Sequence, residues 1–317
     1  MQIEMFNGWY FFWLFLLAGV TVGLYYLLKN KSRKVQNIVL FSILLFGLLM
    51  HFMKALYPPY SVDESRMLRD SWFVNICGAN ISLFPIFFLS KNKKLKDYMV
   101  YIGIISGLIA LFYPQEPLAK SDQLGEQLDI IRFYFHHWML LAVPLLMLLL
   151  KHHKLSYKRV FVAPTGLLIV MLYIMLNQIF QSELGFVPLR DQRRFFDIGY
   201  KNSSYIWGPG TDDAIGNFLA LFTPKLFKTV PVGKYAGRIK YWPWFWLIVP
   251  VYIIVPILAF LLTMIFDRKN FVADMKALPT KVKSFFSSIK AGKCPFKTEK
   301  STPTEEQETD KEVAEVQ

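Results

Sequence analysis

The chain has 317 residues, 54% of them hydrophobic and 17% aromatic, with a mean hydropathy of +0.33 and a formal net charge of +13. Its apolar residues form long uninterrupted blocks, which soluble globular domains lack, and its lysines sit in short loops between those blocks. This distribution argues against nucleic acid as the partner of the basic charge and predicts an all-α, polytopic membrane protein.

In chain order, seven runs are long enough to approach the roughly 30 Å of a hydrocarbon core: residues 9–28, 35–57, 72–89, 98–113, 133–150, 160–180 and 242–266. Trp9, Tyr57, Trp72, Tyr113 and Trp242 mark run ends, where aromatic rings settle among headgroups. The first run has no basic segment before it and leads into Lys29, Lys31, Arg33 and Lys34, which does not fit a cleaved signal peptide. The third and fifth loops are also basic, with Lys91, Lys93, Lys94 and Lys96, then Lys151, Lys154, Lys158 and Arg159. The second and fourth mix charges, including Asp63, Glu64, Asp70, Glu116, Asp122, Glu126 and Asp129. The alternation predicts a seven-helix bundle over residues 1–266 with its N-terminus outside and its C-terminus in the cytoplasm.

A long outer loop is expected over residues 181–241, with Arg190, Arg193 and Arg194, a turn at 208–213, and a short interfacial helix over 217–227 ending near Pro224. The acidic pair Asp212 and Asp213 in that turn is read as solvated rather than cation-binding. Residues 267–297 read as a basic amphipathic segment. Over 267–293 its lysines alternate with Phe271, Met275, Leu278, Val282 and Phe285, as suits an anionic inner leaflet. Residues 298–317 read as disordered. The two cysteines, Cys77 and Cys294, fall on opposite sides of the bilayer in this topology and do not form a disulfide.

Polar residues inside the runs share one outer layer. Cys77 and Asn80 follow Asn75 on the third run, with Cys77 roughly 7–8 Å deep; Cys77, Asn80, Ile81 and Phe84 fall on one helical face. His51 and Lys54 lie near the outer end of the second run, His136 and His137 on the fifth, Asn177 and Gln178 on the sixth. Two readings follow: interhelical hydrogen bonding, or a water-accessible pocket opening outward. A cysteine with a histidine in reach is a minimal nucleophilic pair, and adjacent histidines diverge by about 100°, so one of the two would face Cys77. Asn80 or Asn177 would supply oxyanion hydrogen bonds. The dispersed histidines lack a metal-ligand spacing, so neither metal nor cofactor is expected.

Asn75-Ile76-Cys77-Gly78, the glycine-bearing fourth run from Gly103 and Gly107 to Pro114, Arg132-Phe133-Tyr134-Phe135-His136-His137, and Trp242-Pro243-Trp244 occur in an order that resembles the YwaF family of bacterial membrane proteins. That family is related to a seven-helix eukaryotic acyltransferase of ether phospholipids and is similar in fold to the androgen-induced hydrolases of fatty-acid esters. The resemblance implies Cys77 as the acyl-accepting nucleophile and His137 as the catalytic histidine. His136, Asn80, Asn177, Gln178, His51 and Asn75 would support them. It implies phospholipid or lysophospholipid substrates in the cell membrane; the alternative from residues alone is a transporter or lipid-binding protein without chemistry. The chain departs from the family pattern at Asn75 and in its longer sixth loop.

Overall fold

The computed structural model describes residues 2–118, 124–185, 204–209, 214–229 and 239–290. Arg190, Arg193, Arg194, the 210–213 part of the turn, Cys294 and the 298–317 tail lie outside them. The fold is helical, with one antiparallel pair of two-residue strands, β1 (Lys228–Thr229) and β2 (Lys240–Tyr241).

The long helices are α1 (Gly8–Leu28), α2 (Arg33–Met53), α5 (Lys93–Phe112), α7 (Leu124–Leu149), α8 (Val162–Glu183) and α10 (Phe245–Lys290). Among the described residues these six are long and apolar enough to cross a membrane, by length and composition. Shorter helices are α3 (Glu64–Ser71), α4 (Ile76–Leu89), α6 (Gln115–Leu118) and α9 (Ala214–Leu221). The third predicted run is therefore corrected: its helix has 14 residues and starts at Ile76, four positions after Trp72. At 1.5 Å per residue, α4 covers about 21 Å and does not span the hydrocarbon alone.

Polar residues in the loops set the helix starts. Asn7, Ser32, Asn75 and Asn92 are N-caps of α1, α2, α4 and α5, their side-chain oxygens accepting from the amides of Tyr10, Val35, Gly78 and Lys94. α5 begins five residues earlier than its apolar run, which puts Tyr98 more than a turn inside the helix. α7 likewise begins nine residues before Phe133 and so takes in Asp129 and Arg132.

The core is centred on α5 and α7, where Tyr101, Tyr134, Met139 and Leu140 are fully buried. Glycine lets these helices approach. A side chain on Gly103 would strike the Leu140 carbonyl, with Phe84 Cε2 at 2.8 Å and Pro144 Cγ at 3.0 Å. One on Gly107 would meet Leu141 Cβ at 2.8 Å and the His137 carbonyl at 3.0 Å. α1 sits at the edge and exposes Phe11, Phe12, Phe15 and Leu16, as a lipid-facing helix does.

The face bearing the lysine-rich loops is tied by side chains reaching backbone and buried charge. Arg33 donates to the Leu150 and Lys151 carbonyls at 2.8 and 3.0 Å, and Gln36 to those of Leu28 and Lys31 at 2.9 and 3.1 Å. Asp97, fully buried, accepts from His153 at 2.8 Å and from Arg159 at 2.5 Å. The long loop after α8 is packed where it is described: Ile206 and Trp207 are buried, and Trp246 donates to the Tyr205 carbonyl at 2.8 Å. The short helix in it runs over Ala214–Leu221, followed by a 3-10 turn at Lys225–Phe227.

The backbone of α10 is non-helical at Asp267 (φ −122°, ψ 17°), where the chain divides into two units. In the second unit, which begins at Arg268, Val272, Met275, Leu278, Val282 and Phe285 are exposed at helical spacing.

Candidate functional site

Asn75 organises the start of α4. Its side chain accepts from Gly78 N at 2.6 Å, which makes it the N-cap of the helix. Ile76 N donates to Ser204 Oγ at 3.3 Å, which brings the long loop over the helix end. Cys77, a half-buried free thiol, therefore occupies the first turn, where the helix dipole favours negative charge. Along the same face Asn80, Ile81 and Phe84 are buried, as the 3.6-residue period requires. Asn80 Oδ1 accepts from the Tyr98 hydroxyl at 2.9 Å, while its Nδ2 has no hydrogen-bond partner.

The glycine crossings relate the three central helices. Gly103 of α5 touches Phe84 of α4 and Leu140 of α7. Cys77 precedes Phe84 by seven residues and His137 precedes Leu140 by three, about 10 Å and 4.5 Å along their axes. Both α4 and α7 run toward the basic loops, so both displacements lead away from them, to one side of the crossing. His137 Nδ1 lies 2.8 Å from the Phe133 carbonyl, which makes Nδ1 the donor and leaves Nε2 as the ring's lone pair. The Phe133 ring lies against it with centroids 4.1 Å apart. His136 turns elsewhere: its Nε2 donates to the Gly47 carbonyl of α2 at 2.9 Å.

Most of the remaining polar layer holds a loop. Between α3 and α4 the chain is non-helical over four residues, with Phe73 in the left-handed region at φ 58°. Backbone carbonyls of a non-helical segment packed between helices need donors from elsewhere in the protein or from water. Asn177 Nδ2 and the Tyr173 hydroxyl both donate to the Trp72 carbonyl, at 2.7 and 3.0 Å. Gln181 donates to Arg69 O at 3.0 Å, and Lys54 Nζ to Asp70 O at 2.5 Å. His51 stacks on Phe73 with ring centroids 4.6 Å apart, a wedge behind the strained residue. Gln178 accepts from Trp207 Nε1 at 3.1 Å and so ties the long loop to α8. For Asn177, Gln178 and His51, interhelical hydrogen bonding and packing account for the observed contacts.

Beyond this loop is a charged cluster. Asp129, fully buried, accepts from Arg132 Nε and Nη2 at 2.8 and 2.6 Å and from the hydroxyls of Tyr57 and Tyr60 at 3.4 and 3.3 Å. Burial pushes the Tyr57 hydroxyl up to about 12 and that of Tyr60 higher still, so both remain donors. Arg69 is held charged above its ordinary value by its hydrogen bond to Asp70, followed by that carboxylate's charge. On the basic face, burial and the charges of Arg33 and Lys96 lower His152 to about 4; its Nε2 meets Gln36 Oε1 at 2.7 Å.

Sequence reasoning missed Tyr98 and Ser204. The apolar run starts at Tyr98 and so sets it at a helix end, whereas a helix started at the cap residue Asn92 encloses it; nothing in the sequence marks Ser204. A model of the TMEM164 family, a membrane protein family, matches residues 5–266. The chain belongs to the TMEM164 family. No curated protein and no solved structure matches it. The TMEM164 match ends one residue before Asp267, where the chain divides, and covers every residue of the site.

Proposed function

We propose that this TMEM164 family protein transfers or hydrolyses a lipid acyl group through Cys77 and His137. The observation that supports the reading is the tautomer of His137: a backbone carbonyl holds Nδ1–H, so the ring offers Nε2 as a base, and the thiol proposed as its partner sits in the first turn of α4. In an apolar surround a thiol needs such a base to become a nucleophile. The YwaF resemblance of the motifs around both residues points to phospholipids or lysophospholipids as substrates, with no cofactor. The basic loops orient the N-terminus outside the cell membrane and the C-terminus in the cytoplasm. The exposed apolar stripe after Arg268 then lies on the anionic inner leaflet.

A binding protein without chemistry is the second reading. It draws on an apolar crevice of about 430 Å³ between α1, α2 and α7, lined by Val20, Leu24, Ile43, Phe46, Phe135 and Trp138. Lipidomics of membranes with and without the protein, repeated with Cys77→Ala, separates the two. Hydrolysis predicts a changed phospholipid-to-lysophospholipid ratio and acyl transfer a changed distribution of acyl chains among lipid species, and Cys77→Ala should abolish either change. A lipid profile unchanged in both ratio and acyl-chain distribution, or a change indifferent to Cys77, rejects catalysis. Reporter fusions after Lys94, Asp122 and Lys154 should read inside, outside and inside.

A further inference from the structure

We propose that the acyl carbonyl oxygen attacked by Cys77 is held by two donors of one helical turn, the backbone N–H of Cys77 and the Nδ2–H of Asn80. The inference rests on the acyl-transfer reading above and adds the group that stabilises its charge.

The first amides of a helix have no intrahelical acceptor. In α4 three of the first four are occupied: Ile76 N by Ser204 Oγ at 3.3 Å, Gly78 N by Asn75 Oδ1 at 2.6 Å and Ala79 N by Asn75 O at 2.9 Å. The Cys77 amide meets no acceptor among the described residues, and it points out of the helix end where the dipole is positive. Asn80 follows three residues later on the same face, and helical side chains lean back toward the N-terminus, over Cys77. Its side chain is fully buried; Oδ1 is fixed by the Tyr98 hydroxyl at 2.9 Å, and Nδ2 has no partner. A buried amide donor without an acceptor is uncommon in folded proteins and calls for one. Asn177, the other asparagine considered for the oxyanion, is not available, because its Nδ2 donates to the Trp72 carbonyl at 2.7 Å. A nucleophile's own amide paired with a side-chain amide is an arrangement that stabilises tetrahedral intermediates.

The step balances without a further reagent. The thiol proton passes to His137 Nε2 as the Sγ–C bond forms, and the carbonyl π pair moves onto oxygen between the two donors. Collapse re-forms C=O and breaks the ester C–O bond; the departing alkoxide takes the proton from the imidazolium. An acceptor hydroxyl or water then attacks the thioester, giving its proton to His137. The same donors hold the second oxyanion, the S–C bond breaks, and the thiolate recovers the proton. Asn80 is the catalytic residue of this proposal, and Tyr98 is a positioning residue.

The test uses the full chain in phosphatidylcholine nanodiscs with a fluorescent-acyl phospholipid. Thioester formation on Cys77 is followed by peptide mass spectrometry after acid quench. Alkylation of the same peptide by iodoacetamide is measured in parallel, since that displacement develops no oxyanion. Asn80→Ala should lower kcat and the acylation rate by about 10²–10³-fold while KM and alkylation stay near wild type. Tyr98→Phe, which keeps the ring, should lower kcat by a smaller factor, again with alkylation unchanged. Acylation at the wild-type rate in Asn80→Ala, or equal slowing of acylation and alkylation, rejects the hole while leaving Cys77 catalysis intact. If Asn80→Ala does not fold, an unchanged kcat in Tyr98→Phe rejects it. No thioester on wild-type Cys77 removes the acyl-transfer reading itself, and the hole with it.

Discussion

The Trp72 carbonyl makes a sharp prediction because two side chains share it. Asn177 Nδ2 donates at 2.7 Å and the Tyr173 hydroxyl at 3.0 Å. Asn177→Leu or Tyr173→Phe alone leaves one donor in place and removes a single interhelical bond. Bonds of this kind average about 0.6 kcal/mol in membrane proteins, with a maximum near 1.7. The double variant removes both donors from the carbonyl at once, and where protein packing keeps water from replacing them this adds a desolvation cost of about 1–3 kcal/mol. The pair should therefore cost about 3 kcal/mol, more than the sum of two losses near 0.6–1. Denaturant titration of the four chains of this cycle in one detergent measures the coupling. Iodoacetamide labelling of Cys77 provides a second readout and should accelerate in the double variant as the loop loosens. If the double variant equals the sum of the singles within about 0.5 kcal/mol, the shared-carbonyl argument is refuted.

Gly103→Ala places a methyl group against the Leu140 carbonyl, 2.8 Å from Phe84 Cε2, and should destabilise the protein by about 1–3 kcal/mol in the same titration. Gly23→Ala, with nothing within 4 Å, should be neutral or stabilising by up to about 1 kcal/mol. His137→Ala should reduce acyl transfer by about 10²–10⁴-fold, whereas His136→Ala loses only its bond to Gly47 and stays within several-fold of wild type. His152 titrates near 4 in the folded chain and near 6.5 when unfolded, so the unfolded state takes up its proton first as pH falls. Stability should be flat with respect to this group above 6.5 and decline by at most about 3 kcal/mol toward 4, and His152→Gln should remove that part of the slope.

The sequence carried the long helices well because apolar runs longer than a bilayer is thick have few other uses. The inward face of α4 was also legible, since Cys77, Asn80, Ile81 and Phe84 follow the helical period and the last three are buried. The late start of α4 was not, because Trp72, Phe73 and Val74 are as apolar as the helix itself, and hydropathy does not register a left-handed residue at Phe73. Asn75 three residues before Gly78 was the readable sign of a cap. Depth along the helices groups Asn177, His51 and Gln178 yet says nothing about their partners. A side-chain amide looks the same in sequence whether it serves a substrate or a neighbouring carbonyl.

The loop before α4 bears on the order in which the protein is assembled. Tyr173, Asn177 and Gln181 recur every four residues along α8 and donate to carbonyls that lie 101 to 112 positions earlier in the chain. When residue 77 leaves the ribosome, the donors for the Trp72 and Arg69 carbonyls have not been made, and at about 5–20 residues per second they follow on the order of 5–20 seconds later. Until α8 inserts, those carbonyls lack the side-chain donors it supplies, and the start of α4 rests on its Asn75 cap. The surroundings of Cys77 are completed by a helix synthesised long after the cysteine itself.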